Sequence, residues 1–330
     1  MSQTNNEEAR ERLGTALFTA VRMLDSVALD LLLKQGAPTD SRRGADLATP
    51  LIAAVAAGAF ECARLLLPVS DANAQNRRGE TALMKLSAHA RPSAKRLDFT
   101  EGVLTWREGV KLMPDLIACS NVNLRNENQK TALWKAATAG HFELVQTLLA
   151  AGADATLASH DEECTALMMA AHQIGAVEAN DVFVDCCRAL IPFCDLRQRD
   201  KYGQTTLIHA ASGFGPAGVA LLLPGSDPDA RDEEGLTAIL HAAESGKAEI
   251  FKALVPDCDW TVKSYSGQSA RDLASENGHE EIVAIFDRMQ AEREAAQLRS
   301  AIAEANEGVP ISDDRASDGA KKSVLGARRV

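Results

Sequence analysis

Apolar residues recur in this chain as pairs of short helical bursts, most clearly between Thr131 and Asp154, TALWKAATAGHFELVQTLLAAGAD. Leu133, Trp134, Ala136 and Ala137 cluster on one short helix and Gly140 stops it. Leu144, Val145, Leu148 and Leu149 then return at the three-and-four spacing of a second amphipathic helix, which Gly152 ends. Two helices of about ten residues joined by a tight turn cannot bury their apolar faces alone, so the pattern predicts similar neighbours on both sides. Strand-like alternation is sparse.

Aligning the residues that open each first helix gives Thr15, Thr49, Thr81, Thr131, Thr165, Thr205, Thr237 and Ser269, at spacings of 34, 32, 50, 34, 40, 32 and 32. Five of these seven fall within two residues of 33, which marks an internal repeat. The segments before the anchors read as turns, as in RDKYGQ, RDEEGL and SYSGQ: the Asp caps and the Gly accepts positive φ. Pro68, Pro192, Pro224 and Pro256 follow second helices and fix where the chain leaves them.

The period, the T-[PA]-L-x-x-A-[AV] opening, the mid-repeat G-H-x-E-[LI]-V and the G-A-D ending resemble the ankyrin repeat family over roughly residues 13 to 290. The resemblance implies an all-α solenoid of about eight helix-turn-helix repeats with β-hairpin or turn fingers. Residues 1–12 are expected to be a flexible N-terminus, 13–290 the repeat domain, and 291–330 a helix extension and disordered tail. The long helix is expected to cap the last repeat. Where the family has histidine in T-P-L-H, this chain has Phe18, Ile52, Met84, Trp134, Met168, Ile208 and Leu240, so apolar packing is expected to replace the family's histidine network.

Two repeats are oversized, by insertions near 89–107 and 173–181 between first and second helices. Such loops are either tolerated drift or places where function is added. Pro114 falls mid-helix in the alignment, predicting a kinked or displaced second helix in the third repeat.

Composition narrows the function. Acidic residues number 46 against 35 basic, for a net charge of −11, which argues against nucleic acid as a partner. The seven cysteines form no C-x-x-C pair, and adjacent Cys186 and Cys187 read as buried thiols, with vicinal redox chemistry as the alternative. The polar first twelve residues lack a signal-peptide core, and no apolar run reaches a membrane-span length. A soluble cytoplasmic protein is expected, with export by a route lacking a readable signal left open.

Chemical motifs fail on context. Gly213, Gly215 and Gly218 spell G-x-G-x-x-G, but a helix rather than a strand precedes them. His279 and Glu280 begin an H-E-x-x-H motif that ends on Val283. His209 and His241 share one repeat position and are expected to be packed or surface residues without carboxylate or thiol partners. No enzyme activity, cofactor or metal is expected.

What remains is a protein-binding surface. The resemblance implies contact positions on the concave face at Arg77, Arg78 and Glu80; Glu127, Asn128 and Lys130; Asp161, Glu162 and Glu163; Lys201, Tyr202 and Gln204; Glu233, Glu234 and Leu236; and Tyr265. On the inner helices it implies His89, Thr138, His172, Gln173, Ser212, Glu244 and Glu276. The finger charges run from Arg42, Arg43, Arg77 and Arg78 to Asp161, Glu162, Glu163, Asp232, Glu233 and Glu234, which suits a partner protein with a basic patch. Scaffold, inhibitor and targeting subunit stay open, with a monomer favoured. The alternative is a regulatory or small-molecule module using the loops around Leu97 to Trp106 and Gly175 to Asn180.

Overall fold

A computed structural model of the chain describes residues 2–88, 102–173, 180–213 and 215–307. The described residues are helical and hold no strand, only isolated bridges such as Arg199 with Thr205 and Lys263 with Ser269. The chain divides into two compact units, Met1–Val283 and Ala284–Val330.

In the first unit the helices alternate as inner and outer partners. The inner series is α1 (Ser2–Arg22), α3 (Pro50–Ala56), α5 (Ala82–Ala88), α7 (Ala132–Ala139), α9 (Ala166–Gln173), α11 (Thr206–Ser212), α13 (Ala238–Glu244) and α15 (Ala270–Glu276). The outer series is α2 (Ser26–Lys34), α4 (Phe60–Leu66), α6 (Gly102–Ala118), α8 (Phe142–Ala150), α10 (Asn180–Leu190), α12 (Pro216–Leu222), α14 (Ala248–Leu254) and the start of α16 (Glu280–Glu307). Each inner helix from α1 to α13 packs on the next inner helix, and α2 to α14 form the same succession on the outer side.

The threonine anchors explain the register. Thr49, Thr81, Thr131, Thr165 and Thr205 accept the amide three residues on through Oγ1, satisfying one exposed donor of the first turn. Two residues after each anchor a large aliphatic side chain is buried: Leu51, Leu83, Leu133, Leu167, Leu207 and Ile239. Five residues after, alanine is usual and buried, as at Ala54, Ala136, Ala170, Ala210, Ala242 and Ala274, so neighbouring inner helices approach closely. Of the apolar substitutes for the family histidine, Ile52, Met84, Met168, Ile208 and Leu240 are buried and Phe18 and Trp134 half-buried.

Some expectations change. Thr15 does not open a helix; it lies inside α1 and its hydroxyl donates to the Glu11 carbonyl at 2.8 Å. The helix instead begins at Ser2, in a stretch expected to be flexible, and residues 6–12, all exposed and polar except Ala9, carry no packing or repeat signal. Pro114 sits inside α6 and is exposed, as is Val110, the residue whose carbonyl it leaves without a helical amide. At 17 residues α6 is the longest outer helix of the first unit, so part of the third-repeat insertion is helical. Residues 89–101, including His89, and 174–179 lie outside the described residues, as do the tail residues from 308.

The prolines act where expected: Pro68, Pro192 and Pro224 are each the middle residue of a single 3-10 turn, Leu67–Val69, Ile191–Phe193 and Leu223–Gly225, directly after an outer helix. In the second unit, α16 continues to Glu307, with every residue from 291 to 304 exposed.

Candidate binding surface along the finger edge

Each finger is built around one side chain. Asn76, Asn126, Asp200 and Asp232 accept, through Oδ1, the amides two and four residues ahead, closing the loop onto its own base. The finger from Ser159 to Cys164 carries one more residue, and its closing bond runs from the Ser159 amide to the Cys164 carbonyl at 3.0 Å.

Fingers are joined to each other by backbone. The amides of Arg77, Glu127, His160, Lys201, Glu233 and Tyr265 donate to the carbonyls of Asp46, Arg78, Asn128, Glu162, Tyr202 and Glu234, respectively, at 2.7–3.1 Å. Side chains at the finger bases form a parallel series. Gln75 Nε2 donates to the Gly79 carbonyl at 2.6 Å and to the Arg125 carbonyl of the next finger at 2.9 Å. Arg231 Nη1 bonds Gly235 and Lys263 carbonyls at 3.0 and 2.7 Å, and Arg199 likewise bridges Gly203 and Arg231.

This framework leaves most implied contact residues facing outward. Arg77, Arg78, Glu127, Asn128, Asp161, Glu162, Glu163, Lys201, Glu233 and Glu234 are exposed. Tyr202 and Tyr265 keep 49% and 69% of their surface in solvent although Lys201 Nζ lies 4.9 Å from the Tyr202 ring centre and the Arg231 guanidinium 5.9 Å from that of Tyr265. Lys130 spans two fingers, over the Trp134 ring at 4.5 Å and against Asp161 at 3.0 Å. Thr138, Ser212 and Glu244 are half-buried on the inner helices, Glu276 exposed.

Three assignments are corrected. Glu80 is buried and paired with Lys85 at 2.5 Å and Lys135 at 2.6 Å, because its side chain turns toward the lysines of α5 and α7. Leu236 is buried, as apolar surface dictates, and Asp232 is buried because its carboxylate closes the finger. The acidic run on this finger is therefore Glu233 and Glu234.

The histidines are also corrected. His209 Nε2 meets Asp200 Oδ2 at 3.0 Å, and His241 Nε2 meets Asp232 Oδ2 at 2.7 Å. The pairing is written in the sequence as Asp followed nine residues later by His, twice, 32 residues apart. Burial would raise both carboxyls, but the imidazoles and the finger amides outweigh it and hold Asp200 and Asp232 below the ordinary carboxylate range. Only the first pair has a thiol beside it. Cys164 Sγ lies 3.8 Å from Asp200 Oδ2, 3.9 Å from His209 Nε2 and 3.9 Å from Glu162 Oε2. Burial first, then the Asp200 and Glu162 carboxylates, push its pKa up to about 12. A cleft of about 400 Å³ opens above this cluster, lined among others by Glu162, His172, Gln173 and Tyr202. His172 crosses His209 edge-on with ring centres 6.0 Å apart, and burial followed by that neighbour lowers its pKa.

The remaining motifs are structural. Gly213 ends α11 and Gly215 begins α12, so a helix precedes the G-x-G-x-x-G glycines. His279 Nε2 bonds the Glu244 carbonyl at 3.0 Å, tying the start of α16 to the end of α13. Cys186 and Cys187 are buried, and the seven cysteines form no disulfide. No helix among the described residues is long and apolar enough to cross a membrane.

The family model for ankyrin repeats (three copies) matches residues 106–183 and 213–287, covering the helices from α7 to α9 and from α12 to α15. No curated protein matches the chain. Ankyrin repeats are in general protein-interaction modules of non-catalytic type. The matched segments, the capped inner helices and the bonded fingers together identify ankyrin repeats within this chain.

Proposed function

We propose that the chain is a non-catalytic binding subunit that grips a partner protein along the finger edge, acting as scaffold, inhibitor or targeting element. The observation that carries this reading is the backbone series joining finger to finger, which holds outward side chains at fixed spacing without ordering cost on binding. Along that series Arg77 and Arg78 precede Asp161, Glu162 and Glu163, then Glu233 and Glu234. Such a gradient acts on encounter rate and register, and a partner with a basic patch fits its acidic part. Tyr202 and Tyr265 supply large rigid contact area at the acidic end.

The test is affinity purification from native lysate with wild type and a variant carrying Glu163→Lys, Glu233→Lys and Glu234→Lys. Glu162 is left intact because its carboxylate approaches Cys164. Loss of a specific set of partners supports the reading, and an unchanged set overturns it.

A further inference from the structure

We propose that Cys164, Asp200 and His209 form a binding site for a zinc-type divalent metal ion at the junction of the Ser159–Cys164 and Asp200–Gln204 fingers. Cys164 and Asp200 are buried and His209 nearly so, and one ligand atom from each lies within 4.8 Å of the others, the one such group among the described residues. Zinc takes sulfur at about 2.3 Å, imidazole nitrogen at about 2.0–2.1 Å and carboxylate oxygen at about 2.0–2.2 Å, so tetrahedral coordination puts S···N and S···O near ~3.5 Å and N···O near ~3.3 Å. The separations here are 3.9, 3.8 and 3.0 Å. Each pair therefore needs an adjustment of only about 0.4 Å or less to enclose an ion.

The ligand set also settles the charge. A divalent ion held by one thiolate, one carboxylate and one neutral imidazole is electrically balanced, which a buried ion requires. Binding moves the His209 proton from Nε2 to Nδ1, leaving the ring neutral, and the thiol proton leaves to solvent as the metal–sulfur bond forms. The fourth position faces the cleft, where Glu162 Oε2 stands 3.9 Å from Sγ. Water completes the tetrahedron and keeps the site neutral.

The adjacent repeat is an internal control. Asp232 and His241 make the same pair at 2.7 Å, but the residue corresponding to Cys164 there is Gln204, and no thiol joins them. A pairing required only for the fold would use the same parts in both places. The Ser159–Cys164 finger, one residue longer than the fingers on either side of it, delivers a cysteine to its neighbour's histidine and aspartate.

The experiment uses tag-free full-length protein, stripped with chelator and kept reduced, titrated with Co2+ and then Zn2+. One equivalent of Co2+ should give a thiolate-to-metal charge-transfer band and the intense d–d absorption of tetrahedral cobalt, both bleached by Zn2+. Cys164→Ala should abolish the charge-transfer band, and His209→Gln should weaken binding at least about tenfold. His241→Gln should change neither. Circular dichroism of each variant separates loss of metal from loss of fold, and the wild-type titration decides the matter even if a variant fails to fold. Absence of the band in wild type, or its persistence in Cys164→Ala, overturns the proposal and leaves the trio as a hydrogen-bonded contact only.

Discussion

The carbonyl of Tyr202 accepts a 3.0 Å hydrogen bond from the amide of Glu233, so the backbone beneath an exposed aromatic anchor is fastened to the backbone beneath an exposed acid. Stability and surface are thus joined in the same residues, and changes at the finger bases should be felt at their tips.

Gly235 and Gly267 both hold positive φ, +77° and +84°, at corresponding finger positions. A Cβ at Gly235 would stand 2.6 Å from the Tyr265 ring and 2.7 Å from its amide nitrogen, whereas one at Gly267 meets nothing within 4 Å. Gly267→Ala should cost about 1 kcal/mol, the left-handed backbone penalty alone, and Gly235→Ala about 2–4 kcal/mol from that penalty plus overpacking. Urea unfolding of the two variants checks the difference, and equal costs would contradict it.

Thr131 caps α7 through a 3.1 Å bond to the Trp134 amide, whereas the buried Thr237 hydroxyl makes no capping bond and has no partner. Thr131→Val should destabilise by about 1 kcal/mol. Thr237→Val should be neutral or slightly stabilising, because it removes a buried polar group that has nothing to lose. Thermal melts of both variants give the comparison.

Glu80 carries a pH dependence. Burial would raise its pKa, but Lys135 and Lys85 outweigh it and bring the value down from 4.5 to about 2. A carboxylate with a depressed folded pKa stabilises above its unfolded pKa and loses that stabilisation as pH falls. The contribution, on the order of 2–3 kcal/mol, should therefore be complete above about pH 4.5 and disappear between there and about pH 2. Denaturant titrations across that window should show a steeper loss for wild type than for Glu80→Gln, which begins less stable at neutral pH.

Asp232 accepts the amides of Glu234 and Leu236 on one oxygen and meets His241 with the other. Asp232→Ala removes all three interactions and should cost about 2–4 kcal/mol, while Asp232→Asn keeps an acceptor for the finger and should cost about half as much. Guanidinium midpoints rank them, and an alanine variant as stable as the asparagine one would refute the role assigned to the finger bonds.

The sequence made the repeat legible because its strongest signals are local. A buried threonine that caps a helix and an aliphatic two residues on recur from Thr49 to Thr205, with an alanine five residues on at each of these except Thr81. What escaped is non-local or lies where packing does not dictate. The partners of His209 sit 9 and 45 residues away, and only the finger geometry brings Asp200 and Cys164 to one imidazole. Glu80 looks like a finger-tip residue until Lys85 and Lys135 arrive beside it, one of them 55 residues later. The exposed start of α1 has no core to impose a period on it, so no pattern marks where it begins.

The finger-to-finger hydrogen bonds all run one way: every amide points to the earlier repeat and every carbonyl to the later one. Each peptide carries a dipole of about 3.5 D, and aligned peptides add, as they do along a helix. The positive pole of this row falls at its first finger, between Arg43 and Ala48 and next to that of Arg77 and Arg78, and the negative pole at the finger of Tyr265. Helices commonly offset their dipoles with opposite charge at each end; here backbone and side chains have the same polarity, so the fingers present a steeper electrical gradient than their formal charges supply.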